Sequence, residues 1–246
     1  MGVKVEVCVA GLAEANAAFE AGVDHIEWCT WPECGGTTPS LGSIHILQRA
    51  VPMPTRILVR PTPGHFHYTA EELDIMLADV GAIRRLTPDM GIVVGALGSD
   101  GLPHVPFLER VIDITQGMEI TFHRAIDHAS DMERAMAILL DLGVHRVLTS
   151  GGAVRALDGA PMLARMVMMA GGRTTVAAAG GILPDDVVEL VRVTGVGEVH
   201  FAARGPSSQP PRGVAMSSGD ARAWDTVPDR EKVQGVLNAL MDAGLR

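Results

Sequence analysis

Two phrases near the N-terminus, Val5-Glu6-Val7-Cys8 and Ile26-Glu27-Trp28-Cys29, each set a carboxylate and a thiol two residues apart. In an extended strand, side chains alternate faces, so Glu6 and Cys8 share one surface while Val5, Val7 and Val9 cover the other. Glu27 and Cys29 oppose Ile26 and Trp28 in the same way. Carboxylates on a face that neighbouring strands would bury must be paired, solvated in a cavity, or used. The thiols suggest one chemistry. Neighbouring strands lie about 4.7 to 4.9 Å apart, so Cys8 and Cys29, placed at matching heights, could share one soft ion. Thiolates favour Cu(I) or zinc, and two alone suit low-coordinate Cu(I), with Cys34 as a third donor in the loop that follows. The competing reading makes Cys8 and Cys29 small buried apolar residues.

The carboxylates suggest another chemistry. Glu6 and Glu27 facing each other across paired strands cannot both ionise without a cation, and Arg60 is the expected partner. One glutamate then serves as general acid or base, with Arg60 and Arg124 clamping an anion. Alternatively, Glu6, Glu27 and Arg60 form a buried ionic layer. Thr121-Phe122-His123-Arg124-Ala125-Ile126-Asp127 adds an inward histidine at a strand end, with Asp127 four residues on to orient its ring as a proton-transfer unit. Ser150-Gly151-Gly152 and Gly180-Gly181 could turn backbone N–H groups toward an anion, or simply make tight turns. His65 and His67 lie in a Pro/Gly loop and are expected to be solvated. The only lysines, Lys4 and Lys232, leave no strand-end lysine for Schiff-base chemistry.

The elements that position these groups alternate throughout. Apolar β-rich runs near 3–9, 24–30, 55–60, 91–97, 118–124, 145–150, 173–178 and 197–202 are each followed by a helical pattern. The helices are expected near 11–21, 43–51, 69–86, 106–116, 130–142, 161–171, 184–194 and 228–243. Gly22-Val23, Gly143-Val144 and Gly195-Val196 each close a helix with glycine and open a strand, the expected left-handed cap. Eight β/α units in 246 residues predict an α/β fold, a TIM (β/α)8 barrel forming a single domain over 1–246. No glycine-rich nucleotide loop follows the first strand. Barrel chemistry gathers at the strand C-termini, which puts Cys8, Cys29, Arg60, His123, Arg124 and Ser150 at the mouth with Glu6 and Glu27 a layer deeper. The longest irregular stretch, Ala203 to Thr226, follows the last strand on that face.

Composition narrows the class of partner. A formal charge of −9 without any basic run argues against nucleic acid or an anionic membrane and favours small-molecule chemistry, with a copper ion suggested by the thiols and a small anionic metabolite by the arginines. No apolar run approaches the roughly 20 residues of a membrane helix, and the N-terminus reads as a strand instead of a signal peptide. A cytoplasmic protein with three reduced cysteines is expected.

The motifs are specific when taken together: VEVC, IEWC, Gly35-Gly36-Thr37-Thr38-Pro39-Ser40-Leu41-Gly42, Arg60-Pro61, Thr121 to Asp127, and Arg146-Val147-Leu148-Thr149-Ser150-Gly151. In order and spacing they resemble the CutC family, the copper homeostasis proteins, over nearly the whole chain. The resemblance implies a TIM barrel, a cytoplasmic homo-oligomer (dimer or tetramer), and Cu(I) held by the cysteines that match Cys8 and Cys29. It implies no organic cofactor. Three departures stand out. Thr62-Pro63-Gly64-His65-Phe66 replaces the family's Arg-x-Gly-Asp-Phe, Ala179-Gly180-Gly181 lacks a third glycine, and Trp31-Pro32-Glu33-Cys34 brings an extra thiol.

Overall fold

A computed structural model describes residues 2–202, 204–206 and 226–246. Eight parallel strands close into a barrel in chain order: β1 Lys4–Val9, β2 His25–Trp28, β3 Thr55–Leu58, β4 Gly91–Val94, β5 Ile120–Phe122, β6 Arg146–Thr149, β7 Thr175–Ala179 and β8 Glu198–Ala202. Helices α1 Leu12–Ala21, α2 Leu41–Ala50, α3 Ala70–Leu86, α4 Val105–Thr115, α5 Met132–Asp141, α6 Ala160–Ala170, α7 Val187–Thr194 and α8 Arg230–Asp242 follow in alternation. The predicted TIM barrel is therefore what the chain forms. Of the long stretch after β8, the two ends make an antiparallel ladder, β9 Arg204–Pro206 with β10 Thr226–Pro228. The rest of that stretch lies outside the described residues.

Local chemistry explains the alternation. The strands carry β-branched residues on their outer faces, where Val5, Val7, Ile26, Ile57, Ile92 and Val147 join the main core beneath the helices. The longest helix, α3, begins with a reciprocal capping box between Thr69 and Glu72, and its charges run from Glu71 and Glu72 to Arg84 and Arg85, complementing the helix dipole. Gly22 and Gly195 close α1 and α7 at φ +83° and +71°, a conformation that residues with a Cβ resist.

The inside of the barrel is different. Its lower half is ionic rather than aliphatic. Glu6, wholly buried, accepts from Arg146 at 2.7 Å, from His200 Nδ1 at 2.7 Å, and from Arg56. Glu198 is held by Arg146 at 2.8 Å and Arg56 at 3.1 Å, while Glu119 meets Arg56 at 2.9 Å from the rim. Burial alone would raise the Glu6 carboxyl, but Arg146, the His200 hydrogen bond and Arg56 outweigh it and hold Glu6 well below the ordinary carboxylate range. So Glu6 stays ionised.

Register corrects one expectation. The ladder aligns Cys8 with Glu27 and Glu6 with His25, so Cys29 stands two residues beyond Cys8, and Glu6 and Glu27 do not face each other. Closing eight strands into a barrel imposes a stagger between neighbours that side-chain alternation cannot reveal.

The ionic layer is expected to carry stability. Arg146→Met leaves two buried carboxylates short of a cation and should cost about 3–5 kcal/mol in urea unfolding. A loss comparable to that of an exposed pair, below about 1 kcal/mol, would contradict this reading.

Candidate functional site

Above the ionic layer, at the strand C-termini, lies a cavity of about 340 Å³. Its wall includes Cys8, Glu27, Arg60, His123, Arg124 and His200. Glu6 is absent from the wall because its oxygens are committed below, and Ser150 and Cys29 stand behind it.

The two thiols meet in spite of their offset. Cys8 Sγ lies 3.3 Å from Cys29 Sγ, a non-bonded contact between free cysteines. The hydrogen bond to Cys29, burial, and the nearby Glu27 and Glu6 push the Cys8 thiol well above its ordinary value. Cys8 is therefore protonated at neutral pH. Cys29 is covered by the β2–α2 loop, where Gly36 comes so close that an added Cβ would lie 2.7 Å from Leu58 Cδ2 and 3.3 Å from Cys29 Cβ. An added Cβ would press on both side chains, and at φ +83° only glycine is relaxed. Cys34 lies in the 3-10 turn Pro32–Cys34 of that loop, and its thiol donates to the Trp31 carbonyl at 3.0 Å.

Two groups on the wall keep an unused polar atom. Burial pushes the Glu27 carboxyl upward, and its Oε2 has no partner among the described residues. His123 Nδ1 accepts from the Ala125 N–H at 3.1 Å, which leaves the proton on Nε2, also unpartnered. Burial, and then Arg60, lower the His123 pKa to about 3. The ring is thus a neutral donor.

Three expected partnerships are corrected by the structure. Arg60 pairs with no glutamate. Its Nη1 donates to the carbonyls of Cys34 (3.1 Å) and Gly36 (2.8 Å) and its Nη2 to Gly64 (3.0 Å), so it staples two loops on the cavity wall. Asp127 does not orient His123. It accepts from Arg124 Nε at 2.8 Å, from Thr149 Oγ1 at 2.5 Å, and from the N–H groups of Ser150 (3.0 Å) and Gly152 (3.1 Å). The Gly151 N–H turns to Thr149 Oγ1 at 2.9 Å. The anion nest expected of Ser150-Gly151-Gly152 is therefore occupied by the chain's own carboxylate. Arg124 lines the cavity, and its Nη2 meets Ser150 Oγ at 2.9 Å.

Sequence reasoning missed three residues. Arg56 and Arg146 have inward parity on β3 and β6, a signal that was available. His200, on β8 beside Glu6, has the same parity and lines the cavity. Lys232 also reaches the wall, from α8 and not from a strand end, donating to the Ala202 carbonyl at 3.2 Å and lying 5.3 Å from the Phe201 ring centre. His65 and His67 are exposed, as expected.

Residues 3–205 match the family model described as the CutC family. The chain belongs to the CutC family. A family protein CutC from Glaesserella parasuis serovar 5 is 37% identical over 237 residues, which is 95% of this chain and 97% of that one. The human copper homeostasis protein cutC homolog is 36% identical over 203 residues, covering 82% of this chain and 74% of that protein. The crystal structure of CutC from Streptococcus agalactiae superimposes with a TM-score of 0.75 at 27% identity, over 81% of this chain and 98% of its own. Phosphoribosyl anthranilate isomerase from Thermotoga maritima gives a TM-score of 0.58 at 14% identity over 98% and 99% of the two chains, a likeness of fold alone. Among the described residues, no helix is long and apolar enough to cross a membrane.

The buried neutral histidine has a consequence for pH. Unfolded histidine titrates near 6.5, whereas His123 in the fold titrates near 3, so between these values the unfolded chain holds the extra proton. The His123 contribution is complete above about pH 6.5 and drains away as pH falls toward 3. Urea unfolding at pH 7 and pH 5 should show a shallower acid loss for His123→Gln than for the native chain. Equal losses would mean that the ring is not held neutral.

Proposed function

We propose that this chain binds Cu(I) through Cys8 and Cys29 at the barrel mouth, as a cytosolic copper-handling member of its family. The carrying observation is the pair of sulfurs 3.3 Å apart, one of them on the cavity wall. The donor set fits the ion, because two soft thiols suit low-coordinate Cu(I) better than a structural zinc site with four ligands. The name of the human relative, a copper homeostasis protein homolog, supports the same reading. The ion would be cargo. Since Cys8 is protonated at neutral pH, uptake releases a proton, and affinity rises with pH. A homo-oligomer, dimer or tetramer, belongs to this reading as its setting.

An anaerobic competition titration against a strong Cu(I) chelator tests it. Cys8→Ser and Cys29→Ser are each expected to weaken binding by about 100-fold or more, and Cys34→Ser to leave it within about threefold. Binding that ignores both Cys8 and Cys29 would sink the assignment.

A second reading rests on a separate observation, the unpartnered Glu27 Oε2 and His123 Nε2 on the wall of one cavity. It makes the chain an enzyme acting on a small anionic metabolite, with Glu27 as the proton-transfer group, His123 Nε2 as a neutral hydrogen-bond donor and Arg124 facing the anion. If a metabolite screen by thermal shift finds a ligand, Glu27→Gln and His123→Gln should each abolish the shift and Cys29→Ser should keep it. The reverse pattern would exclude this reading.

A further inference from the structure

The upper face of the ionic layer and the floor of the cavity meet at His200. Its Nδ1 is 2.7 Å from Glu6 Oε1. With Nδ1 donating to that oxygen, the neutral ring keeps its Nε2 lone pair. A carboxylate that fixes one imidazole nitrogen and bares the other is the arrangement found behind histidine metal ligands. One nitrogen of His200, Cys8 Sγ and a Glu27 oxygen all lie within 4.8 Å of one another. Ligands at about 2.0–2.3 Å around a tetrahedral ion stand roughly 3.3–3.8 Å apart, so the three need to close by at most about 1–1.5 Å. Independently of that cluster, Glu27 Oε2 is buried on the wall without a partner among the described residues. A buried carboxylate oxygen left unsatisfied is costly unless something binds it.

We propose that Cys8, Glu27 and His200 form a site for one divalent transition-metal ion of the zinc class, with three protein ligands and a fourth position open to the cavity. The mixed sulfur, oxygen and nitrogen set is of borderline softness, which suits zinc and differs from the dithiol that suits Cu(I). Charge also balances. A thiolate and a carboxylate, formed as Cys8 and Glu27 give up their protons on binding, neutralise a dication. Three protein ligands with one open position mark a site that acts on a bound molecule, in contrast to a closed structural site. His123 Nε2 and Arg124 border the same cavity and would meet whatever takes that position. The site goes beyond the dithiol reading and shares only Cys8 with it. The two ions would therefore compete for one sulfur.

The test uses the reduced, metal-stripped full chain, titrated anaerobically with Co(II) as a spectroscopic stand-in and with Zn(II) against a chromophoric chelator. One equivalent of Co(II) should give a thiolate-to-metal charge-transfer band and visible bands of four-coordinate intensity. Zn(II) affinity should fall by about 10- to 100-fold or more in Glu27→Gln and His200→Gln, and persist in Cys29→Ser. Binding unchanged in Glu27→Gln would overturn the site, as would Zn(II) binding that vanishes with Cys29→Ser. Glu27→Gln preserves shape and touches none of the Glu6 contacts, so it decides the matter even if His200→Gln fails to fold. Cu(I) affinity on the same variants separates the proposals: dithiol binding follows Cys29, and the mixed site follows Glu27.

Discussion

The buried ion cluster at the base of the barrel is the interaction on which the rest depends. Glu6 and Glu198 share Arg56 and Arg146 in a region nearly closed to solvent, with negative and positive charges in equal number. Such a cluster is stabilising only if it is complete, because an isolated charge in that setting costs several kcal/mol. Its completeness reaches upward through His200, whose proton is drawn to the Glu6 side. In the mouth above, three groups are held away from their charged forms. Cys8 is held as a thiol, the Glu27 carboxyl is pushed upward, and His123 is kept neutral.

The architecture was legible in the chain because the signal repeats. Eight alternations of β-rich and helical pattern, three of them joined by Gly-Val phrases, leave few alternatives to a closed barrel, and the facing of Glu6 with Cys8 and of Glu27 with Cys29 follows from strand alternation alone. What stayed hidden was register. Parity says which face a residue takes but not which neighbour it meets, so Cys8 and Cys29 were set level when the ladder aligns Cys8 with Glu27. Arg60 takes in the sequence the role that Arg56 fills in the structure for the same reason, since Arg56 on β3 and Arg60 two residues past its end have the same parity and only the stagger shows which of them meets Glu6. Asp127 was misassigned by proximity in sequence. Four residues from His123, it turns instead to the N–H groups of the next strand's loop.

The fold neighbours sharpen one point. Barrels with this topology host unrelated chemistries, and a likeness such as that to phosphoribosyl anthranilate isomerase carries fold without function. Late loops in such barrels often expose backbone N–H groups to phosphate. Here the loop after β6 closes on Asp127, which makes it an internal brace, with Arg124 as its outer arm.

The roof that Gly36 makes over Cys29 leaves the two sulfurs unequal. Cys8 stands on the cavity wall, while Cys29 is only 1% exposed and packed beneath the Gly36 loop. From the cavity, the pair is reached past Cys8. The proposed dithiol therefore has a single door, with a half-open thiol in front and a sheltered one behind.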